Sequence, residues 1–330
     1  MRIFVAGATG YIGRFVAQEL VGRGHEVVCL ARPRAGVGGV QDAAATRAAL
    51  PGAEVRFGDV TKRTSVRDEG FRGERFDAVV SCLGSRTGAV ADARNVELAA
   101  NLHLLDAALE VGASHFVLLS ALCVQKPRLA FQRAKAEFEA SLRAAPIAHS
   151  IVRPTAFFKS LAGQVEKVRE GAPFTVFGDG TLTACKPISE ADLAAFVADC
   201  LVDADKRDRT LPIGGPGPAI TPVDQAAMLG ALLGREVKLR KVPVALLDGI
   251  IAFLDVAGAV APPLRDKAEL ARIGRYYGTE SMLVWDGDRY DADATPSTGR
   301  ETLQEFYARV LEEGLAGQEL GDHAVFGGGG

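Results

Sequence analysis

The chain has 330 residues, 48% of them hydrophobic, and a formal net charge of −3. It is long enough to bury one large core or two modest ones, and it lacks the basic excess that a nucleic-acid partner leaves. Cys29, Cys82, Cys123, Cys185 and Cys200 are scattered without a CxxC pair, and neither they nor the isolated histidines have metal-ligand spacing. An odd cysteine count of this kind suits a reducing compartment, and no metal is expected.

In chain order, residues 3–6 read as a short buried strand. Gly7, Gly10 and Gly13 follow at once, with Thr9, Tyr11 and Ile12 among them. Residues 14–23 then read as a helix whose apolar stripe is Phe15, Val16, Leu20 and Val21. Strand, glycine-rich turn and helix in this order predict the phosphate-binding corner of a dinucleotide fold. Gly7 allows the tight turn, Gly10 the approach of a pyrophosphate, and Gly13 close packing of helix on strand. The pyrophosphate is then expected on the free amides of the helix N-terminus. The spacing Gly-x-x-Gly-x-x-Gly resembles that of the short-chain dehydrogenase/reductase superfamily in its extended and atypical branches. The first strand lies at the N-terminus, so no signal or transit segment is expected ahead of the fold, and the location is expected to be cytoplasmic.

Residues 26–31 form the second strand, which ends in Arg32-Pro33-Arg34 with no acidic residue. An acidic side chain here binds ribose hydroxyls, whereas an arginine pairs with a 2′-phosphate. Arg32, helped by Arg34, therefore argues for NADPH; the alternative is two solvated loop arginines. Residues 35–50 read as a small-residue loop into a helix, and 54–57 as the third strand. Asp59-Val60 follows it. Within the superfamily an Asp here contacts the adenine; Asp59 fits equally as the cap of a helix over 61–66. The fourth strand covers 76–81, and the turn Cys82-Leu83-Gly84-Ser85 is expected over the cofactor at the carboxyl edge of the sheet. A helix spans 95–111, with Asn95 and Asn101 read as solvated helix polars or as reaching that turn.

The fifth strand, 115–119, ends in Ser120, and a helix over 131–144 follows. In most of the superfamily the active site is a Ser at this strand end with Tyr-x-x-x-Lys on the next helix. Here the segment is Phe131-Gln-Arg-Ala-Lys135, so the lysine is present without the tyrosine. Phe131 has no hydroxyl to serve carbonyl or alcohol chemistry. Lys135 is left to hold the nicotinamide ribose, or to act as the acid itself if burial lowers its pKa. The sixth strand, 148–152, leads to Pro154-Thr155, which resembles the superfamily segment along the nicotinamide. Phe157 and Phe158 fit a flat apolar pocket or the core. Residues 174–183 read as a strand pair around Gly178-Asp-Gly180, 190–201 as a helix, and 210–214 as a returning strand. After the boundary at 214–218 come a helix over 221–233 capped by Thr221, a strand over 236–242, and helices to the end. The nearest approach to a membrane span is 242–264, which Asp248 and Asp255 interrupt. It reads as a core helix pair, a hydrophobic substrate wall or a membrane-surface contact. The predicted fold is α/β: a Rossmann-type doubly wound parallel sheet over 1–215, a smaller, mainly helical substrate lobe over 216–326, and a flexible glycine tail over 327–330.

Several segments together resemble one family across nearly the whole chain. They are Cys123-Val-Gln-Lys-Pro127 with Phe131-Gln-Arg-Ala-Lys135, Arg153-Pro-Thr-Ala-Phe-Phe-Lys-Ser-Leu161, Leu182-Thr-Ala-Cys-Lys-Pro-Ile188 and Gly321-Asp-His-Ala-Val-Phe326. The family is that of the NADPH-dependent, metal-free divinyl chlorophyllide 8-vinyl reductases. The resemblance implies reduction of the 8-vinyl group of a chlorophyllide-type magnesium tetrapyrrole, with Lys135 as the catalytic residue. A vinyl group has no oxygen to protonate, which agrees with the missing tyrosine. Phe131, Phe157 and Phe158 would then meet the macrocycle, and Lys159 and Lys186 its propionate. The proton donor stays open among Lys135, Lys159, Lys186, Tyr276, Tyr277 and water. Peripheral membrane contact suits such a substrate, and the oligomeric state is not legible. The alternatives are another NADPH-dependent atypical reductase of a conjugated double bond and a non-catalytic NADP(H) sensor.

Overall fold

The computed structural model describes residues 1–34, 41–261 and 263–314. The expected glycine tail, the 321–326 segment and the start of the small-residue loop lie outside the described residues. The chain groups into two compact units. One comprises Met1–Arg86, Ala91–Pro154 and Glu190–Pro212; the other comprises Thr87–Val90, Thr155–Ser189 and Ile213–Gly330. The last crossing falls beside the boundary expected near 215, but residues 155–189 also group with the second unit.

The first unit is built on a seven-stranded sheet. Its elements are β1 (Arg2–Ala6), α1 (Tyr11–Gly22), β2 (Glu26–Ala31), α2 (Ala43–Ala49), β3 (Glu54–Phe57), α3 (Arg63–Ser65) and β4 (Ala78–Ser81). These are followed by α4 (Val90–Ala93), α5 (Asn101–Glu110), β5 (His115–Leu119), α6 (Ala130–Ala144) and β6 (Ala148–Pro154). The strand order is β3-β2-β1-β4-β5-β6, with β8 (Arg209–Ile213) beyond β6, and β3 through β6 run parallel. Parallel strands covered on both faces must be apolar on both sides. Ile3, Phe4, Val5 and Ala6 are all fully buried. The ring of Phe4 stacks on Phe71 at 4.1 Å and meets Phe76 edge-on. The order reverses between β1 and β4, and ligands of open α/β sheets bind outside the strand ends at such a switch point.

Two helices depart from regular α geometry. The predicted 61–66 helix starts at Arg63 and continues through wider π turns to Phe71. The predicted 95–111 helix is α4 and α5 joined through π turns over Arg94–Ala100. π turns rotate the following side chains off the α register, and they recur at functional sites.

In the second unit the chain forms α7 (Phe158–Leu161), α8 (Val165–Arg169) and β7 (Phe174–Phe177). Here the expected strand pair is corrected. Gly178 (φ +60°) and Gly180 (φ +90°) curl the chain into a turn, and Asp179 holds it by accepting from the Thr181 amide and hydroxyl. The partner of β7 is instead β9 (Leu239–Val242), running parallel. Between them in sequence lie α9 (Glu190–Asp199), which packs on α1 in the first unit, β8 and α10 (Pro222–Leu233). Thr221 and Asp224 cap α10 reciprocally, as expected. The remaining elements are α11 (Val244–Val260), α12 (Pro263–Thr279), the short pair β10 (Val284–Trp285) and β11 (Tyr290–Asp291), and α13 (Leu303–Glu313).

Candidate active site

The glycine corner has the geometry of a dinucleotide cradle. Gly7 leaves β1 with φ +81°, in the left-handed region, and a Cβ there would stand 2.5 Å from the Cys82 carbonyl oxygen. At Gly13 a Cβ would lie 2.1 Å from the Gly7 carbonyl oxygen. Neither position therefore admits a side chain without movement of the backbone. Gly10 is the N-cap of α1, which has no side-chain cap and no acidic residue in its first turn. The α1 N-terminus thus carries neither a side-chain cap nor a carboxylate, and an anion fits a helix end of this kind. Ile12 is buried, while Thr9 and Tyr11 are half-buried beside the turn.

Arg32 and Arg34 are exposed just past β2. Asp59, past the adjacent β3, accepts from the Thr61 amide at 3.0 Å and the Thr61 hydroxyl at 2.7 Å. Burial works against its carboxylate. The Thr61 bonds and the charges of Lys62 and Arg32 prevail, and its pKa lies below the ordinary value. Asp59 thus holds a local turn, and the N-cap of α3 is Lys62. Val60 packs half-buried against the core.

The turn after β4 crosses directly over Gly7. Leu83 is buried, and the outer side of Gly84 is open. Burial pushes the Cys82 thiol up to about 12, against the opposing charge of Lys135. Lys135 is 8% exposed, and its Nζ lies 2.7 Å from Oε2 of Glu97, itself 2% exposed. The other oxygen, Oε1, accepts from the Ser85 amide at 2.8 Å and the Ser85 hydroxyl at 2.9 Å. One buried carboxylate on the π stretch therefore ties the α6 lysine to the β4 turn. Asn101, expected in solvent, is buried one turn further on. It accepts from Ser81 Oγ and donates to the Glu97 carbonyl. Asn95 is exposed.

Ser120 is held by a second buried carboxylate. Its hydroxyl donates to Glu139 at 2.6 Å, and Arg153 and Arg143 donate to the same side chain. Burial raises the Glu139 pKa, but the two arginines and Ser120 overcome it and hold the carboxyl below its usual range. The Ser120 proton is thus turned inward. Phe131 is half-buried against the core of this unit.

Other expected residues are placed as follows. Pro154, which ends β6 in the first unit, is buried. In the second unit, Thr155 is buried with its hydroxyl donated to the Lys186 carbonyl. Phe158 is corrected as a pocket residue: it is fully buried against Phe306, ring centroids 5.4 Å apart, and belongs to the core. Phe157 and Lys159 are half-buried. Lys186 donates one proton to the Thr295 carbonyl at 2.9 Å. Tyr276 is buried and Tyr277 exposed. Among the described residues no group of His, Cys, Asp and Glu side chains has a metal-binding arrangement.

Motif spacing does not reveal Glu97, Glu139 or the role of Arg153, whereas Ser85 lies in the turn expected over the cofactor. A signal existed for the carboxylates: Glu97, Asn101 and Leu104 share a helical face, as do Lys135, Phe138, Glu139 and Leu142. An acidic residue inside an apolar stripe marks a buried pair.

The comparisons with known proteins agree with this geometry. A family model described as NAD(P)H-binding matches residues 7–204. Divinyl chlorophyllide a 8-vinyl-reductase, chloroplastic, of Oryza sativa subsp. indica is 53% identical over 98% of this chain and 82% of its own length. Its counterpart in Arabidopsis thaliana is 49% identical over 98% and 79%. The binary complex of leucoanthocyanidin reductase with NADPH from Vitis vinifera superposes with a TM-score of 0.67 at 17% identity, covering 94% of this chain and all of that one. The chain belongs to the divinyl chlorophyllide a 8-vinyl-reductase family and carries its NAD(P)H-binding domain on a Rossmann-type sheet.

Proposed function

We propose that this protein reduces the 8-vinyl group of divinyl chlorophyllide a, or of the corresponding protochlorophyllide, to ethyl in (bacterio)chlorophyll biosynthesis, with NADPH as reductant. The observation that carries the reading is about 50% identity to reductases of that name across 98% of the chain. The glycine corner without a side-chain cap supports binding of the cofactor's pyrophosphate, and Arg32 and Arg34, exposed just past β2, support pairing with its 2′-phosphate.

When bound, NADPH supplies a hydride to the vinyl group, and a proton then completes the ethyl. The chain's own residues position and shield. Gly7, Gly10 and Gly13 would let the backbone approach the pyrophosphate, and the Pro154-Thr155 segment would lie along the nicotinamide. Lys135, held by Glu97 beside the β4 turn, would donate to the nicotinamide ribose and would be the proton source. Phe131 occupies the place of the usual tyrosine, and a carbon acceptor needs no phenol there. Phe157 offers an apolar face to the macrocycle, with Lys159 and Lys186 for its propionate. Orientation and water exclusion then carry the rate. Peripheral membrane contact is part of the proposal, supported by an uncharged face on α11. Among the described residues no helix is long and apolar enough to cross a membrane.

The test incubates purified protein with 3,8-divinyl chlorophyllide a and NADPH, with NADH in a parallel tube. Separation by chromatography should yield a product two hydrogens heavier with a blue-shifted Soret band, formed with NADPH. No product in either tube, with cofactor binding demonstrated, would sink the proposal.

A further inference from the structure

α11 is uncharged over one whole side. It packs on α12, and Gly258 of α11 lies against Arg265 of α12. On the outer side Leu246, Ile250, Phe253 and Val256 are 56%, 42%, 71% and 76% exposed. At about 100° per residue these four, with Gly249 and alanines between them, cover about half the helix circumference. The helix has only two charges, Asp248 and Asp255, and both pair with α12, to Arg275 and Arg272. The strand that runs straight into α11 is basic: Lys238, Arg240 and Lys241 are all exposed in and beside β9.

We infer that this outer face seats on an anionic lipid surface. Leu246, Ile250, Phe253 and Val256 enter the boundary between headgroups and acyl chains. Lys238 and Arg240, which share one face of the strand, meet the headgroup phosphates. The charge distribution selects this occupant. The helix carboxylates are neutralised by α12 and do not repel phosphates, and the flanking cations attract them. At 17 residues the helix lies in the interface plane instead of crossing it. The inference gives the membrane contact of the proposed function its residues. It is measured without substrate or NADPH, so its failure and that of the reductase reading are distinguishable.

The experiment is vesicle flotation of the full chain. Vesicles of phosphatidylcholine alone are compared with phosphatidylcholine mixed with phosphatidylglycerol. The chain should float with the mixed vesicles and be released by high salt. Phe253→Glu should weaken binding about tenfold or more. Gly249→Glu should do the same without disturbing packing, because a Cβ there meets no atom within 4 Å. Combined Lys238→Glu and Arg240→Glu should abolish the preference for anionic vesicles. Absence of binding to either vesicle overturns the inference, as does equal binding to both or unchanged binding by Phe253→Glu. Gel filtration decides the rival occupant: a dimer that Phe253→Glu dissociates, with vesicles ignored, assigns the face to a second copy.

Discussion

The substitution Glu97→Gln tests the buried pair at the centre of the site. The carbonyl oxygen of the introduced amide can still accept from Ser85, where Glu97 Oε1 now accepts two hydrogen bonds. The amide nitrogen is then turned toward the Lys135 ammonium, now 2.7 Å from a carboxylate oxygen, so two donors face each other. Removing one partner of a buried pair costs about 3–5 kcal/mol, a fall in Tm of roughly 4–7 °C for a chain of this size. Lys135→Met should cost a similar amount, because the Glu97 charge then keeps only Ser85. The double variant removes both charges and leaves one unsatisfied amide nitrogen, a loss of about 1–3 kcal/mol. Urea unfolding of the four proteins therefore closes a cycle with a coupling energy of several kcal/mol. Single losses that add within about 0.5 kcal/mol would refute the pairing. NADPH titration of the same proteins reads the site directly: Lys135→Met should lose turnover and cofactor affinity, and survival of both would remove its assigned role.

Three further outcomes are expected. Gly13→Ala places a methyl 2.1 Å from the Gly7 carbonyl oxygen and should lower NADPH affinity at least about tenfold by fluorescence titration. Gly22→Ala, on the same helix with open space around it, should be neutral or stabilising by about 0.5–1 kcal/mol. Arg32→Glu should raise KM for NADPH by about 10- to 100-fold, as befits a lost bond to a charged group, and should improve NADH; an unchanged NADPH/NADH ratio would return Arg32 to solvent. His115, buried with Nε2 3.0 Å from Ser150 Oγ, has its pKa lowered to about 4, first by burial and then by Arg207. The unfolded chain binds this proton more readily. Stability from neutral burial is therefore complete above about pH 6.5 and is lost as pH falls toward 4, by about 3 kcal/mol. His115→Gln should flatten that limb in urea melts at stepped pH.

The parallel sheet was legible because its demand on sequence is local. A strand covered on both faces is mostly apolar, and the runs at 26–31 and 115–119 have the bounds of β2 and β5; β3, with Glu54 and Arg56, has the bounds 54–57 without that uniform pattern. The glycine corner was legible for the same reason, since backbone clashes at Gly7 and Gly13 forbid a Cβ whatever else surrounds them. Lys135 stood out through its spacing from Phe131 on one helix. The aromatics were less readable: Phe157 and Phe158 are neighbours in sequence, yet Phe158 is sealed against Phe306 of α13 while Phe157 stays half-buried.

The sequence by itself determined the nucleotide-binding half, the reductase family and the loss of the tyrosine hydroxyl, because each is written in contiguous residues at fixed spacing. Only the tertiary structure decided which charges are buried together. Glu97 reaches Lys135 because π turns rotate its helix and bring it against α6, and Glu139 gathers Ser120 and Arg153 from two strand ends. β7 likewise finds β9 across a long intervening stretch. Such meetings depend on helix rotation and chain crossing, which no local pattern encodes.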